Sequence, residues 1–222
     1  MAKKKNNRLT TPKGEMLFPY LDKPDTRHDD DGTYHVNLIF EEDDKFLADI
    51  EKLAKKQFDV FVAKLDDELA SVAMYVSPIK EVKDADKKVV KGKKMLYFKT
   101  KAFFKDKKTG EKVSLKPKLF DGSGNFIKKS LPIGNGTIAQ VNFAWRSTKM
   151  SGEDRRTKEK YCDVFMSFYL NAVAIHELVT YGASAEGFGF DTSGGGFNVA
   201  ESGFDMDDAE GGADEPDVDE EF

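Results

Sequence analysis

Residues 95–105 read Met-Leu-Tyr-Phe-Lys-Thr-Lys-Ala-Phe-Phe-Lys, and the alternation of side chains in this stretch decides the class of the fold. Successive side chains of a β-strand point to opposite faces, so odd-numbered and even-numbered residues separate. The even-numbered face is expected in the core and carries Leu96, Phe98, Thr100, Ala102 and Phe104. The odd-numbered face carries Tyr97, Lys99, Lys101, Phe103 and Lys105. The stretch therefore predicts a strand that is buried on one side only.

The same division recurs between Glu111 and Phe120, where a second strand is predicted. Its core side carries Val113, Leu115, Pro117 and Leu119. Its other side carries Lys112, Lys116, Lys118 and Phe120, and Lys107 lies in the hairpin between the two strands. Rings interleaved with lysines are typical of surfaces that bind single-stranded nucleic acid, because rings stack on bases and ammonium groups neutralise phosphates. The alternative is an ordinary solvated lysine face.

The remaining segments predict a mainly β fold with one helix. Apolar residues recur at steps of three and four from about residue 43 to 73, which predicts one long helix packed on the domain, with a partner-binding helix as the alternative. No alternation of strand with helix is present, so a small closed or partly open barrel is expected. Four further strands are predicted over residues 15–21, 34–40, 137–146 and 161–178, and residues 75–94 are expected to be a connector.

Charge is divided unevenly along the 222 residues. The net charge is −5, but residues 183–222 contain 13 acidic residues and no Lys or Arg, so the rest of the chain is basic. Such asymmetry indicates a polyanionic partner. We expect a basic, flexible N-terminal arm over residues 1–13, a folded domain over 14–182 and a disordered tail over 183–222, Gly-rich at first and then acidic.

The sequence offers no catalytic constellation. Its three histidines, His28, His35 and His176, and its one cysteine, Cys162, do not have metal-ligand spacing. No phosphate-binding loop is present, so we expect a protein that is not an enzyme and has no metal or cofactor. No stretch approaches the roughly 20 apolar residues of a membrane span, and no apolar segment follows the basic start of the chain. A cytoplasmic protein without membrane contacts is expected.

Four aromatic positions outside the lysine-rich strands are open to two interpretations. Trp145, next to Arg146, is either a stacking platform or a core residue. In the last predicted strand, Tyr161, Phe165 and Tyr169 alternate with apolar residues, and either face could meet solvent.

The tail ends in an aromatic residue that follows a run of acids. Its last residues include Asp217, Asp219, Glu220, Glu221 and Phe222. Such a peptide resembles DNA in charge and could occupy a basic groove until DNA displaces it, or it could dock a partner that has a pocket for the ring. The alternative is a tail that only aids solubility.

Several short motifs occur in an order that is fairly specific. They are Lys23-Pro24-Asp25 before Gly32-x-Tyr34-x-Val36, Phe98-Lys99-x-Lys101, Asp106-Lys107-Lys108-Thr109, Pro132-Ile133-Gly134-x-Gly136 and Glu177-Leu178-Val179-Thr180-Tyr181-Gly182, followed by the acidic tail. With them, the chain resembles the single-stranded DNA-binding proteins that tailed bacteriophages encode for their own replication.

This resemblance implies an OB-fold, a five-stranded Greek-key barrel, with an appended helix. It also implies that the protein binds single strands without sequence preference. It implies roles in DNA replication and recombination in the cytoplasm of an infected bacterium, including protection and annealing of strands. In this family the tail contacts the phage DNA polymerase and helicase-primase. The family's DNA-binding residues, on the sheet face, correspond here to Lys99, Lys101 and Phe103. A homodimer is compatible with the sequence. The alternative function is an acidic-tailed, chaperone-like interaction protein that shields a basic client.

Overall fold

The computed structural model of the chain describes residues 7–180, except residues 85, 107, 108 and 155. The chain divides into two units, Met1–Tyr181 and Gly182–Phe222, and only the first contains described residues. The strands are β1 (Arg8–Thr10), β2 (Gly14–Asp25), β3 (Thr33–Glu41), β4 (Ala73–Val76), β5 (Ile79–Lys83), β6 (Val89–Lys101), β7 (Phe103–Lys105), β8 (Lys112–Ser114), β9 (Lys118–Phe120), β10 (Ile138–Glu153) and β11 (Lys160–Glu177). The helices are α1 (Lys45–Val62) and α2 (Asp67–Ser71).

Five of the strands form a closed ring, and the fold is mainly β as the sequence predicts. β2 pairs antiparallel with β3, and β3 with β6. β6 then pairs in parallel with β11, β11 pairs antiparallel with β10, and β10 returns to β2. β11 is 18 residues long and also carries β4 and β9 as parallel neighbours at other points along its length. The last strand of the described chain therefore connects most of the sheet.

The core lies inside this ring and is closed by α1. Phe98, Phe143 and Phe168, from β6, β10 and β11, meet there with ring centroids 5.0 to 5.5 Å apart. α1 adds Leu47, Ile50 and Ala54, all buried. The expectation that Leu96, Phe98 and Ala102 face the core is confirmed, because all three are fully buried.

The single helix predicted over residues 43–73 is wrong, because the structure divides it into two. α1 begins after Asp44, whose side chain accepts a hydrogen bond from the Phe46 amide at 2.7 Å, and ends at Val62. A second cap follows, since Asp66 accepts a hydrogen bond from the Leu69 amide at 2.9 Å and starts α2. The Asp66 side chain bonds to a backbone amide in place of a helical hydrogen bond, and β-branched Val60 and Val62 are weak helix formers. The apolar spacing continues across the break and conceals it.

The strand predicted over residues 95–105 ends at Lys101, where the ladder changes partners. The Ala102 amide donates to the Gly32 carbonyl, and the Leu115 amide donates to the Ala102 carbonyl. Beyond this point β7 and β8 form a separate two-stranded sheet. Phe104 and Val113, both expected in the core, are 45% and 40% exposed. The alternation in the sequence continues there, but the core face is not covered.

Two terminal or connecting segments are more ordered than the sequence suggests. Part of the arm predicted over residues 1–13 is strand β1, which pairs with β10. Thr11 follows it and is buried, and its hydroxyl accepts a hydrogen bond from the Val141 amide at 3.0 Å. The connector predicted over residues 75–94 contains β5 and the start of β6. The sequence pattern does not predict these strands, because few of their side chains are buried and apolar residues therefore do not alternate clearly with polar ones.

Neither helix of the described chain is long and apolar enough to cross a membrane.

Candidate nucleic-acid interface

The outer face of β3, β6 and β11 carries a group of aromatic and basic side chains. In the strand register His35 stands opposite Lys99 and Asn37 opposite Tyr97, while Lys99 stands opposite Tyr169 on the other side. Paired residues of neighbouring strands project from the same face, so these side chains share one surface. Lys99 and Tyr169 are exposed and Tyr97 is half-buried. We call this surface, with Lys80 of β5, the outer sheet face.

A cleft of about 250 Å³ opens in the outer sheet face where β6 and β11 separate. Tyr97, Lys99, Lys80 and Phe165 are among the residues that line it. The Nζ atoms of Lys80 and Lys99 lie 5.5 Å and 5.9 Å from the centroid of the Tyr97 ring. A cation within about 6 Å of an aromatic ring is attracted to its π-face. Tyr97 is therefore flanked by two ammonium groups at a surface that is open to a planar ligand.

A row of rings continues from Tyr97 towards β2. The ring centroids of Tyr20 and His35 are 4.7 Å apart, and those of His35 and Tyr97 are 5.6 Å apart. Asp25 fixes the row, because its carboxylate lies 3.2 Å from His35 Nε2 and accepts hydrogen bonds from the Arg27 side chain at 2.8 and 2.9 Å. The His35 side chain is only 12% exposed, so the row packs beside Tyr97 and supports its ring.

The Asp25 carboxyl and the Tyr97 phenol each have a pKa shifted away from neutral pH. Hydrogen bonds from the Arg27 side chain and backbone hold the pKa of the Asp25 carboxyl well below its ordinary value of 3.8. Burial raises the pKa of the Tyr97 phenol above 10.0, and the charge of Asp25 acts in the same direction. Tyr97 therefore remains a neutral ring, suited to stacking.

The predicted lysines, together with Lys80, which the sequence did not predict, fall into two groups. One group forms ion pairs with acidic side chains: Lys101 with Asp29, Lys112 with Asp31, and Lys116 with Asp22. The hydrogen bond from Ser130 and the one from Lys116 lower the pKa of Asp22, and Lys112 lowers that of Asp31. In the described part of the chain, no carboxylate forms an ion pair with Lys80, Lys99, Lys105 or Lys118. The second group is thus the more available to a polyanion.

The remaining predicted residues of the two lysine-rich strands lie away from Tyr97. Phe103 and Lys105 belong to β7, where the Nζ of Lys112 lies 5.9 Å from the Phe103 ring. Lys118 and Phe120 belong to β9, which runs beside Ala172 and Ala174 of β11. Lys107 is outside the described residues.

Trp145 and Arg146 face opposite sides of β10. Trp145 stands opposite buried Phe168, packs against the core and borders a cleft with Val60 and Phe61 of α1. Arg146 stands opposite Ser167, on the outer side of β10 by register, and it also borders the cleft beside Trp145. The structure therefore does not bring Trp145 together with Tyr97 and Lys99.

The burial pattern of β11 shows which face of the last predicted strand meets solvent. Cys162, Val164, Met166 and Phe168 are buried, so Tyr161, Phe165 and Tyr169 lie on the solvent side. Tyr161 and Tyr169 are 36% and 39% exposed. The five tail residues predicted to bind partners, Asp217, Asp219, Glu220, Glu221 and Phe222, are outside the described residues.

Sequence reasoning missed Lys80, Tyr20 and His35. Lys80 lies in the segment interpreted as a connector, so nothing placed it beside Tyr97. The signal for His35 was present, because it alternates with Tyr34 and Val36 in a predicted strand.

An exposed sheet face with aromatic rings and available cations is typical of proteins that bind single-stranded nucleic acid. The family model described as "Single-stranded DNA-binding protein, Bacteriophage T7" matches residues 14–151. The chain belongs to this family, whose function is DNA binding and not catalysis. The expectation of a phage single-stranded DNA-binding protein is confirmed.

The fold is shared with one solved structure at low sequence identity, and two further structures are similar over most of the chain. Gp2.5, a single-stranded DNA-binding protein encoded by bacteriophage T7, is 20% identical, with a TM-score of 0.58 over 86% of this chain and 97% of that chain. The single-stranded DNA-binding protein from bacteriophage Enc34 is 15% identical, with a TM-score of 0.44 over 87% of this chain and 96% of that chain. The structure of that protein in complex with single-stranded DNA is 16% identical, with a TM-score of 0.44 over 82% of this chain and 97% of that chain. No curated protein sequence matches the chain.

Proposed function

We propose that this protein binds single-stranded DNA without sequence preference through the outer sheet face. The observation that carries the proposal is Tyr97 flanked by Lys80 and Lys99 at an open cleft. A base that stacks on the Tyr97 ring would bring its neighbouring phosphates close to both ammonium groups. Any base has a π-face, so stacking does not select a sequence.

We further propose that the barrel belongs to the OB-fold class. Support comes from the closed ring of five strands, in which the third and fifth, β6 and β11, pair in parallel. In OB-folds the face of the second and third strands binds oligonucleotides. The corresponding strands here are β3 and β6, which carry His35, Tyr97 and Lys99.

The proposed DNA path extends from Tyr97 in several directions. Arg146 and Tyr169 lie on the same face as Tyr97. At the other end of β6 the path includes Lys101, Phe103, Lys105, Lys112 and Lys116, with Lys118 and Phe120 of β9 and with Lys107 as a proposed member outside the described residues. Phosphates would replace the carboxylates of Asp29, Asp31 and Asp22 at the paired lysines. Trp145 has no place in this path, because it lies beneath α1.

We propose that the protein acts in phage DNA replication and recombination in the cytoplasm of the infected bacterium, where it protects and anneals strands. In this proposal residues 14–182 form the binding domain and residues 183–222 form a tail. With 13 acidic residues and no basic ones, the tail would compete with DNA for the basic face. Its end, including Asp217, Asp219, Glu220, Glu221 and Phe222, would recruit the phage DNA polymerase and helicase-primase. A homodimer is part of the same proposal.

The second candidate is an acidic-tailed, chaperone-like protein that shields a basic client. The same tail charge favours it, and the lysines would then be solvated surface. Removal of residues 205–222 separates the two functions. A DNA-binding protein gains affinity for single strands when an anionic competitor is removed, whereas a client-shielding protein loses its client and has little DNA affinity to begin with.

The test is fluorescence anisotropy of a labelled strand of about 30 nucleotides, which exceeds the site size of one OB-fold. Full-length protein and residues 1–204 are compared, with unlabelled duplex as competitor. We expect binding that resists duplex and strengthens on truncation. Absence of binding, or equal displacement by duplex, would refute the proposal.

A further inference from the structure

Phe18 has a backbone conformation that is unusual for a bulky side chain. Its φ angle is 52°, in the left-handed region, and the residue is 55% exposed. Residues with large side chains rarely adopt this region, and those that do are often found at functional sites. Burial of the ring does not explain the conformation, because more than half of the residue is in solvent.

A bulge in β2 holds Phe18 in this conformation. Leu17 pairs with Asn37 and Tyr20 pairs with His35, so Phe18 and Pro19 together stand opposite one residue of β3. The Phe18 amide donates a hydrogen bond to Asn135 Oδ1 at 2.7 Å. Nδ2 of Asn37 donates to the Leu17 carbonyl at 3.2 Å. The strained residue is thus fixed by side chains from two other segments.

The Phe18 ring borders a second cleft, of about 530 Å³. Asn37, Met95, Lys80, Glu81 and Lys83 are among its other lining residues. The Glu81 carboxylate pairs with Lys94, whose Nζ lies 2.6 Å away and also pairs with Glu42 at 3.1 Å. In the described residues, no carboxylate forms an ion pair with Lys80 or Lys83. The cleft therefore combines an exposed ring with two available cations.

Lys80 lines both this cleft and the cleft beside Tyr97. The two clefts are neighbours along the outer sheet face, and each pairs one aromatic ring with lysines. Continuity and charge favour one polyanionic ligand that crosses both, and an apolar protein segment would leave two ammonium groups without partners.

We propose that Phe18 is a base-stacking residue that forms a second DNA subsite, with Lys80 and Lys83 as its phosphate contacts. The inference rests on the proposed function. In this proposal the bulge directs the ring outward, so that a base other than the one on Tyr97 stacks on Phe18.

The test compares two ligands of equal length and charge: oligo-dT and the same strand made of abasic sites. The abasic strand keeps the phosphate contacts and lacks the bases. Full-length wild type, Phe18→Ala, Phe18→Tyr and Phe18→Gly are measured against both ligands. The control is Val60→Ala, which removes an exposed apolar side chain on α1.

We expect Phe18→Ala to weaken binding of oligo-dT by roughly 5- to 100-fold, the range for loss of one stacked base, and to leave the abasic strand unchanged. Phe18→Tyr should bind as wild type does. Phe18→Gly should weaken oligo-dT equally and melt at the same or a higher temperature, because glycine adopts this φ without strain. A lower affinity in a variant that is no less stable distinguishes a binding role from a packing role.

Three outcomes would overturn the inference. Equal affinity of wild type and Phe18→Ala for oligo-dT refutes the Phe18 subsite alone, with the proposed function intact. Loss of self-association in Phe18→Ala, measured by sedimentation with unchanged DNA affinity, assigns the ring to contacts between copies of the chain. Absence of oligo-dT binding by wild type refutes the proposed function and this inference together.

Discussion

The Nζ atom of Lys80 lies 5.5 Å from the centroid of the Tyr97 ring, although the two residues belong to different strands. Lys80 pairs in register with Met95 of β6, two residues before Tyr97, so its long side chain crosses the sheet diagonally. Lys99, two residues after Tyr97 on the same strand, approaches the same ring at 5.9 Å. A short edge strand thus supplies half of the positive charge around the proposed stacking residue.

Replacement of Tyr97 by Ala should weaken single-stranded DNA binding by about 1–3 kcal/mol, the usual effect of removing one stacking ring. The loss should be similar for oligo-dT, oligo-dA and mixed strands, because stacking on a ring does not depend on base identity. Tyr97→Phe should keep most of the affinity. A loss confined to one sequence, in anisotropy titrations, would argue for hydrogen-bonded base recognition by the phenol.

Removal of Lys80 or Lys99 should reduce the salt dependence of binding. Each phosphate contact contributes about −0.7 to the slope of log K against log salt for a single strand. Lys80→Ala and Lys99→Ala should therefore each make the slope less negative by about that amount. The matched control is Lys56→Ala, which removes an exposed lysine of α1 that lines neither cleft. If all three variants have the wild-type slope, these lysines do not contact phosphate.

Asp31→Asn should tighten DNA binding, because it releases Lys112 from its ion pair. Exposed ion pairs are worth up to about 1 kcal/mol, so the gain should be a few-fold in affinity at low salt. Asp49→Asn removes an equal charge from an exposed position on α1 and controls for the net charge. Equal gains in the two variants would show a general charge effect and no specific competition between carboxylate and phosphate.

The Asp25 carboxylate should make the stability of the fold depend on pH in the acidic range. Its pKa is lower in the folded state than its ordinary value of 3.8, so its contribution is fully present above about pH 5 and is lost as the pH falls through the folded value. In thermal melts, the melting temperature of wild type should therefore be higher than that of Asp25→Asn at pH 7, and this difference, the gap, should be smaller near pH 2. Arg27→Gln, which removes the main hydrogen-bond donor, should weaken this dependence. A gap that is constant with pH would exclude the ionised carboxylate as its cause.

Trp145→Ala should destabilise the fold and spare DNA binding. The side chain is partly buried against the core beneath α1, so its removal should cost about 3 kcal/mol in the free energy of unfolding, the lower end for truncation of a buried aromatic residue. Chemical denaturation measures this change, and anisotropy below the melting temperature measures affinity. Loss of DNA affinity in the folded variant would place a binding surface on the other side of β10.

Alternation predicted the faces of the sheet wherever one side is covered by the core. It placed Tyr97 and Lys99 outside and Phe98 inside, because β6 has α1 and the ring interior behind it. It failed at Phe104, since a two-residue period continues whether or not another layer covers the strand. The period of α1 similarly continued past Ala63, where a second cap at Asp66 starts a new helix.

Other parts of the site depend on contacts that local sequence does not encode. Lys80 meets Tyr97 only because β5 pairs with β6 in one particular register. Phe18 gives no signal in a strand pattern, because its role depends on a bulge fixed by Asn135, 117 residues further along the chain. A window of ten residues contains neither relationship.

The parallel ladder that joins Phe98 to Phe168 has a consequence for how the chain folds. Ring closure requires two strands that are far apart in sequence, and such pairings are slow because the chain loses loop entropy before it gains contacts. Until β11 joins, the end of β6 beyond its pairing with β5 presents an unpaired edge, which is a template for pairing with other chains. Folding of a nascent chain therefore cannot finish until β11 has been synthesised. Aggregation competes with folding most strongly in that interval, and the lysines along β6 act as charged gatekeepers at the open edge.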